Sequence, residues 1–204
     1  GFGVPFPSDD AADAAVRSSI AMISELRTWN ADRLKADKMP VGMGVGVNTD
    51  NVVTGNIGSS KRMDFTMIGD GVNLAARLEG SCKTYGAQII ISEFTQNKLK
   101  GIYALRELDR IVVKGKTEPV SIFEVLDFHD DETFPARMDV VGHFTEGLAH
   151  YRNTKFDDAI KSFKAALDAN SEDVPSKLYI ERCELFKESP PPKDWSGEWV
   201  MTEK

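Results

Sequence analysis

Residues Gly55 to Gly80, GNIGSSKRMDFTMIGDGVNLAARLEG, decide how this chain is read. Gly58-Ser59-Ser60-Lys61-Arg62 is a polar loop, Met63 to Ile68 a short extended segment, and Gly69-Asp70 the punctuation before a helix. Asp70 has the chemistry of a helix cap, and the pattern predicts a helix over roughly Gly71 to Tyr85. On that helix Asn73 and Arg77 stand four residues apart and share one face, near the helix start where free N–H groups favour anions. An amide, a guanidinium and a helix N-terminus suit a phosphate or a ribose. Spacing alone more often marks a solvated face, with Arg77 paired to Asp70 or to an acid across an interface.

Upstream, Ser8-Asp9-Asp10 supplies N-cap chemistry for a long helix from about Ala11 to Lys35. Val16, Ile20 and Ile23 recur at helical spacing, and Leu26 and Trp29 extend the stripe, so one face is expected on a sheet. The opening Gly1 to Pro7 reads as a strand end running into a turn. Val41 to Val47 alternates Gly with Val or Met, a strand whose bare positions allow close backbone approach. Asn48-Thr49-Asp50-Asn51 is turn chemistry, and Val52 to Ile57 is expected to return as the second strand of a hairpin with it.

Downstream, Gln88 to Ser92 reads as a buried strand, and Ser92 as the cap of a helix to about Lys100. Two strands follow, near Arg106 to Lys114 and Glu118 to Asp127. This order predicts an α+β fold, helices on a mostly antiparallel sheet. The acidic stretch His129 to Arg137 reads as a linker, and the pattern then turns purely helical. The domain reading is 1–127, a linker at 128–138, a helical segment at 139–188 and an extended tail at 189–204. Phe144, Gly147, Leu148, Tyr151, Phe156, Ala159, Phe163 and Ala166 resemble one tetratricopeptide-type helix hairpin, with small residues where its helices cross. A third helix is expected from near Pro175, and Trp195 and Trp199 are expected to dock. The partner of this segment is not legible.

The chain has 204 residues and a net charge of −7, which argues against nucleic acid but not against a small polyphosphate. No apolar run approaches the roughly 18 residues that span a bilayer. Cys82 and Cys183 lie far apart with no ligand spacing, so a reduced, cytoplasmic setting is expected. His129, His143 and His150 share no ligand spacing and receive no metal role.

Gly69-Asp70-Gly71-Val72-Asn73-Leu74-Ala75-Ala76-Arg77 resembles the helix motif of class III nucleotide cyclases, the adenylate and guanylate cyclases. The resemblance covers about residues 1 to 127, roughly two thirds of a complete catalytic domain of ferredoxin-like fold. It implies that Asn73 orients the ribose and that Arg77 neutralises charge developing on the triphosphate. Val113-Lys114-Gly115-Lys116 resembles the strand that grips the outer phosphates, with Lys114 as the match and Lys116 as the fallback. Thr66, three residues before Gly69, stands where the family reads the base. Threonine there resembles the bicarbonate-responsive branch of adenylate cyclases and favours ATP over GTP. Asp50 departs from the pattern, since glycine is usual in that turn.

The same family uses two aspartates to hold two Mg²⁺ or Mn²⁺ ions. By this alignment those ligands and the base-reading lysine are expected before Gly1, so the chain on its own is expected to be inactive. The family works as a dimer with its active site at the subunit interface, and this chain carries the Asn and Arg half. The implied activity of the parent is conversion of ATP to 3′,5′-cyclic AMP and pyrophosphate. The alternatives are a guanylate cyclase and a non-catalytic cyclase-like module acting through dimerisation.

Overall fold

The computed structural model describes residues 1–59, 62–112 and 118–200. The chain order begins with helix α1 (Ala11–Lys35), strand β1 (Val45–Val47) and strands β2 (Val53–Ser59) and β3 (Arg62–Ile68). Helix α2 (Asp70–Tyr85), strand β4 (Ile89–Ser92), the single turn α3 (Glu93–Gln96) and strands β5 (Leu105–Val112) and β6 (Val120–Val125) follow. Helices α4 (Arg137–Arg152), α5 (Phe156–Ala169) and α6 (Val174–Glu188) and the short β7 (Trp199–Val200) complete it. The chain divides into two compact units, Gly1–Leu105 with Ile122–Phe128, and Arg106–Ser121 with His129–Lys204.

In the first unit β4 is the axis. It pairs in parallel with β1, Val45 opposite Ile89 and Val47 opposite Ile91, and antiparallel with β6, Ile90 opposite Glu124. All three isoleucines of β4 are fully buried, as expected for a short apolar strand covered on both faces. Alternation along β1 explains the two layers. Val45 and Val47 join Val16 and Ile23 of α1 and Ile89 and Ile91 of β4 in one cluster. Gly46 points the other way, onto α2, where an added Cβ would lie 2.2 Å from the Ala75 carbonyl and 2.3 Å from the Glu79 nitrogen. The bare position in the sequence is what lets α2 lie on the strand.

The first helix runs over Ala11–Lys35 as its periodicity predicts, but its cap and its stripe differ from expectation. Asp10 makes no side-chain cap bond, because its carboxylate is engaged by Arg17 at 2.6 Å. The buried stripe ends at Ile23. Trp29 is half-exposed and lies under the Arg33 guanidinium at 4.7 Å. The last turns of α1 serve the connection instead: the Asn30 amide exchanges two 2.8 Å bonds with the Val41 backbone. At the other end the buried Asp13 accepts from the Lys100 and Gly101 amides (3.0 and 2.8 Å) and the Tyr103 hydroxyl (3.0 Å).

The expected hairpin between Val41–Val47 and Val52–Ile57 does not form. The strand starts only at Val45, and β2 pairs with β3 over the whole register from Val53 opposite Ile68 to Ser59 opposite Arg62. The physical reason lies in the turn residues. Asn48 donates to the Gly71 carbonyl (3.1 Å) and accepts from the Ser92 hydroxyl (2.6 Å), and the Thr49 and Thr95 hydroxyls meet at 3.1 Å. The turn is therefore stitched to α2 and α3 rather than closed on itself. Residues 1–7 likewise form no strand. Ser92 does cap α3, accepting from the Thr95 amide at 3.3 Å, but that helix stops at Gln96.

The second unit has an aromatic core. Phe144, Tyr151, Phe163 and Tyr179 are buried together, and the Phe163 ring sits over Gly147 closer than a Cβ would permit. Pro175 lies in the first turn of α6, whose cap is Asp173, accepting from the Ser176 amide at 3.1 Å. The Trp195 ring packs on Tyr151 and Phe186, each at 5.0 Å between centroids, and β7 runs parallel to β5. Within His129–Arg137, Asp130 and Thr133 close a hydrogen-bonded turn and Phe134 is buried.

Candidate functional site

Three of the four residues singled out by the sequence fall on two adjacent elements of the first unit, β3 and α2. The fourth, Lys114, and its fallback Lys116 lie outside the described residues. Thr66 sits on β3 opposite Gly55 of β2 and is half-buried. Directly opposed residues of an antiparallel pair project from the same face. Thr66 therefore shares its face with Val53, Ile57, Asp64 and Ile68. A threonine hydroxyl can both donate and accept, so it can read either an amino group or a ring nitrogen.

Asn73 and Arg77 project from the first two turns of α2, and both are exposed. Four residues at about 1.5 Å rise place them about 6 Å apart along the axis, on one face. The opposite face holds Leu74, Leu78, Cys82 and Tyr85 in the core, which fixes the rotation of the helix and so the direction of the polar pair. Burial pushes the Cys82 thiol up to about 11, so it stays protonated and is no nucleophile at neutral pH.

The start of α2 differs from expectation in two ways. The N-cap is Gly69 at φ +155°, which a side-chain-bearing residue rarely adopts, and Asp70 is the first helical residue with no side-chain cap bond to make. The second difference was not legible. The Asp50 side chain lies against the first turn, so that a Cβ on Gly71 would be 2.3 Å from the Asp50 Cβ and 2.8 Å from its Oδ2. A carboxylate of the protein thus already stands beside the positive end of the helix dipole, which also carries Asp70. That placement disfavours an anion at the helix N-terminus itself and leaves Arg77 as the cation on this face of α2. The departure from glycine at position 50 was the available signal, but its consequence needed the Asp50–Gly71 approach.

A further feature escaped sequence reasoning. The β2–β3 hairpin exposes Val53, Ile57, Met63, Phe65 and Ile68, each at 50% or more. By the register, Val53, Ile57 and Ile68 occupy one face and Met63 and Phe65 the other. Both faces of a two-stranded ribbon therefore present apolar side chains, a pattern that marks an interaction surface. Among the described residues no group of three or more His, Cys, Asp or Glu side chains gathers as a metal site, and no helix is long and apolar enough to cross a membrane.

Residues 2–126 match the family described as the adenylate and guanylate cyclase catalytic domain. An adenylate cyclase of Dictyostelium discoideum, described as terminal-differentiation specific, is 31% identical over 182 residues, 87% of this chain and 9% of that protein. That match necessarily continues past residue 126 into the helical segment. An adenylate cyclase of Anabaena cylindrica is 38% identical over 124 residues, 57% of this chain and 25% of that protein. The chain thus spans a quarter or less of the length of these two relatives. Among solved structures, the guanylyl cyclase Cya2 is similar with TM-score 0.55 and 36% identity, covering 61% of this chain and 62% of that one. The adenylyl cyclase CyaB from P. aeruginosa follows with TM-score 0.54 and 34% identity, covering 64% and 67%.

Proposed function

We propose, from the premise that the chain belongs to the adenylate and guanylate cyclase catalytic-domain family, that it supplies the ribose-orienting and charge-stabilising half of an ATP cyclisation site. In the reaction the ribose 3′-oxygen attacks the α-phosphorus in line. A new P–O bond forms, the 3′-hydroxyl gives up its proton to solvent, and the bond from the α-phosphorus to the oxygen bridging the β-phosphate breaks to release pyrophosphate. Asn73 positions the ribose through its amide. Arg77 meets charge as it develops on the phosphate oxygens, where a fixed donor is worth more in the transition state than in the ground state. Thr66 reads the adenine edge, and Lys114 holds the outer phosphates.

The observation that carries this reading is the rotation of α2, which buries Leu74 and Leu78 and thereby presents Asn73 and Arg77 to solvent on one face. The exposed apolar hairpin supports a homodimer, in which the second subunit covers the face with Val53, Ile57 and Ile68 and completes the site. Divalent Mg²⁺ or Mn²⁺ is the family's metal requirement. Among the described residues no group of three or more His, Cys, Asp or Glu side chains fits such ions. Buried, unreactive thiols at Cys82 and Cys183 support a reduced, cytoplasmic setting.

The relatives named as adenylate cyclases and the threonine at position 66 both support ATP. The likeness to the guanylyl cyclase Cya2 favours GTP as the second reading. Turnover of ATP and GTP by the full-length protein separates the two: cyclic AMP formation with a clear kcat/KM preference for ATP is expected, and the reverse preference would overturn the ATP assignment. A full-length protein that cyclises neither nucleotide would overturn the enzyme reading as a whole.

A further inference from the structure

Strand β5 from Arg106 onward belongs to the same compact unit as the helical segment, although it lies inside the stretch that matches the cyclase family. The helices grip it residue by residue. Arg106 pairs with Asp173 at 2.6 Å, with both side chains only 3% exposed. Glu107 takes a bidentate pair from Arg152, at 2.6 and 3.2 Å. The Leu108 carbonyl accepts from the buried Tyr179 hydroxyl at 2.9 Å. Asp109, fully buried, pairs with Arg182, whose guanidinium lies over the Tyr179 and Trp199 rings at 4.9 and 4.1 Å. At the strand's end Ile111 and Val112 take Trp199 and Val200 of β7 as parallel neighbours.

These charges run plus, minus, minus along β5, and the helical segment answers minus, plus, plus. Unpaired, the buried charges of Arg106 and Asp109 would be costly, so those two positions need their partners in place. A slip of one residue would turn every side chain to the opposite face and break all three pairs at once. Buried polar pairing of this kind is best attested as a device that fixes register.

We propose that the helical segment is a brace on β5, with Arg152, Asp173 and Arg182 as positioning residues that hold this strand of the cyclase region in its working register. The similarity to the Dictyostelium discoideum cyclase, which continues into this segment, accords with a brace that belongs to the enzyme rather than to a separate function. The proposal rests on the cyclase reading above and uses only described residues, so it does not depend on where Lys114 lies.

The test compares the full-length protein with Glu107→Gln, with Arg152→Glu, and with the reversed pair Glu107→Arg/Arg152→Glu. This pair is partly exposed, at 21% and 30%, so its loss does not threaten folding as loss of Asp109 would. Amide hydrogen exchange and ATP turnover are read on the same samples. In the single variants the amides of residues 106–112 should exchange at least about tenfold faster while those of α2 and β4 stay as they were. Their kcat should fall several-fold with KM for ATP little changed, and the reversed pair should recover both. Unchanged exchange in β5 would overturn the brace. Faster exchange with undiminished kcat would overturn its role in activity. A wild-type protein that turns over neither ATP nor GTP would overturn the cyclase reading instead, and the exchange arm would still decide the brace.

Discussion

Helix α2 and strand β5 carry the same kinds of side chain and use them in opposite ways. On α2, Asn73 and Arg77 face solvent while the apolar side of the helix fills the core. On β5, Arg106 and Asp109 are buried and paired with Asp173 and Arg182. Burial with a partner makes a charge architectural, whereas exposure on a rigid element keeps a polar group within reach of solvent. The contrast separates what should lose stability from what should lose only chemistry.

The largest stability effect belongs to β5. Asp109→Ala leaves the Arg182 guanidinium buried opposite a cavity and should cost about 3–5 kcal/mol, read by denaturant unfolding. A loss near that of an exposed pair, below about 1 kcal/mol, would erase the distinction between the two regions. Arg77→Ala comes next and in the other currency. It should lower kcat by about 10²–10³-fold, on the order of 3–4 kcal/mol of barrier, at unchanged unfolding free energy. A fall confined to KM would reduce Arg77 to ground-state binding.

Gly46→Ala tests how the polar pair is aimed. The added methyl meets the backbone of α2 at Ala75 and Glu79 and must push the helix away, for about 1–3 kcal/mol of stability and a loss of turnover with it. Stability lost with turnover intact would mean that the placement of α2 on β1 does not set the site. Asp13→Asn is smaller, about 1.5 kcal/mol, because the amide still reaches some of the donors. The N–H groups of Lys100 and Gly101 hold the Asp13 carboxyl below the usual carboxylate range, against the opposing pull of burial, with help from the Tyr103 hydroxyl and Arg17. Between the folded and unfolded values the unfolded chain binds the extra proton. The Asp13 contribution is therefore complete above about pH 4, the ordinary carboxylate value, and fades as pH falls through the lowered folded value. The variant should lack this part of the acid sensitivity. Smallest of all, Cys82 and Cys183, pushed up to about 11 and about 12 by burial, should resist thiol reagents in the folded chain at pH 7.5 and react on unfolding.

The legible parts of the molecule are those decided by short-range pattern. The periodicity of α1, the apolar run of β4 and the motif bearing Asn73 and Arg77 all read directly from neighbouring residues. What failed was long-range. Val45 to Val47 carries no mark that its partner is Ile89 to Ile91 rather than the next strand along. Arg106, Glu107 and Asp109 carry no local mark of their pairing, because their partners come 67, 45 and 73 residues later. The Asn73–Arg77 pair on one helix face was legible, but the electrostatics around it were not, since only the fold brings Asp50 against Gly71. The exposed apolar hairpin was hidden for the same reason: strand residues read as buried until the register leaves both faces uncovered.

Complementation across the subunit boundary tests the half-site most directly. On the proposed half-site, full-length protein carrying Arg77→Ala lacks the charge-stabilising arginine alone, and the 204-residue chain with Arg77 intact supplies it. Mixing the two should restore ATP cyclisation, and mixing with the Arg77→Ala form of the 204-residue chain should not. Equal turnover in both mixtures, or none in either under conditions where the two chains associate, would contradict a site completed by Asn73 and Arg77 from this chain.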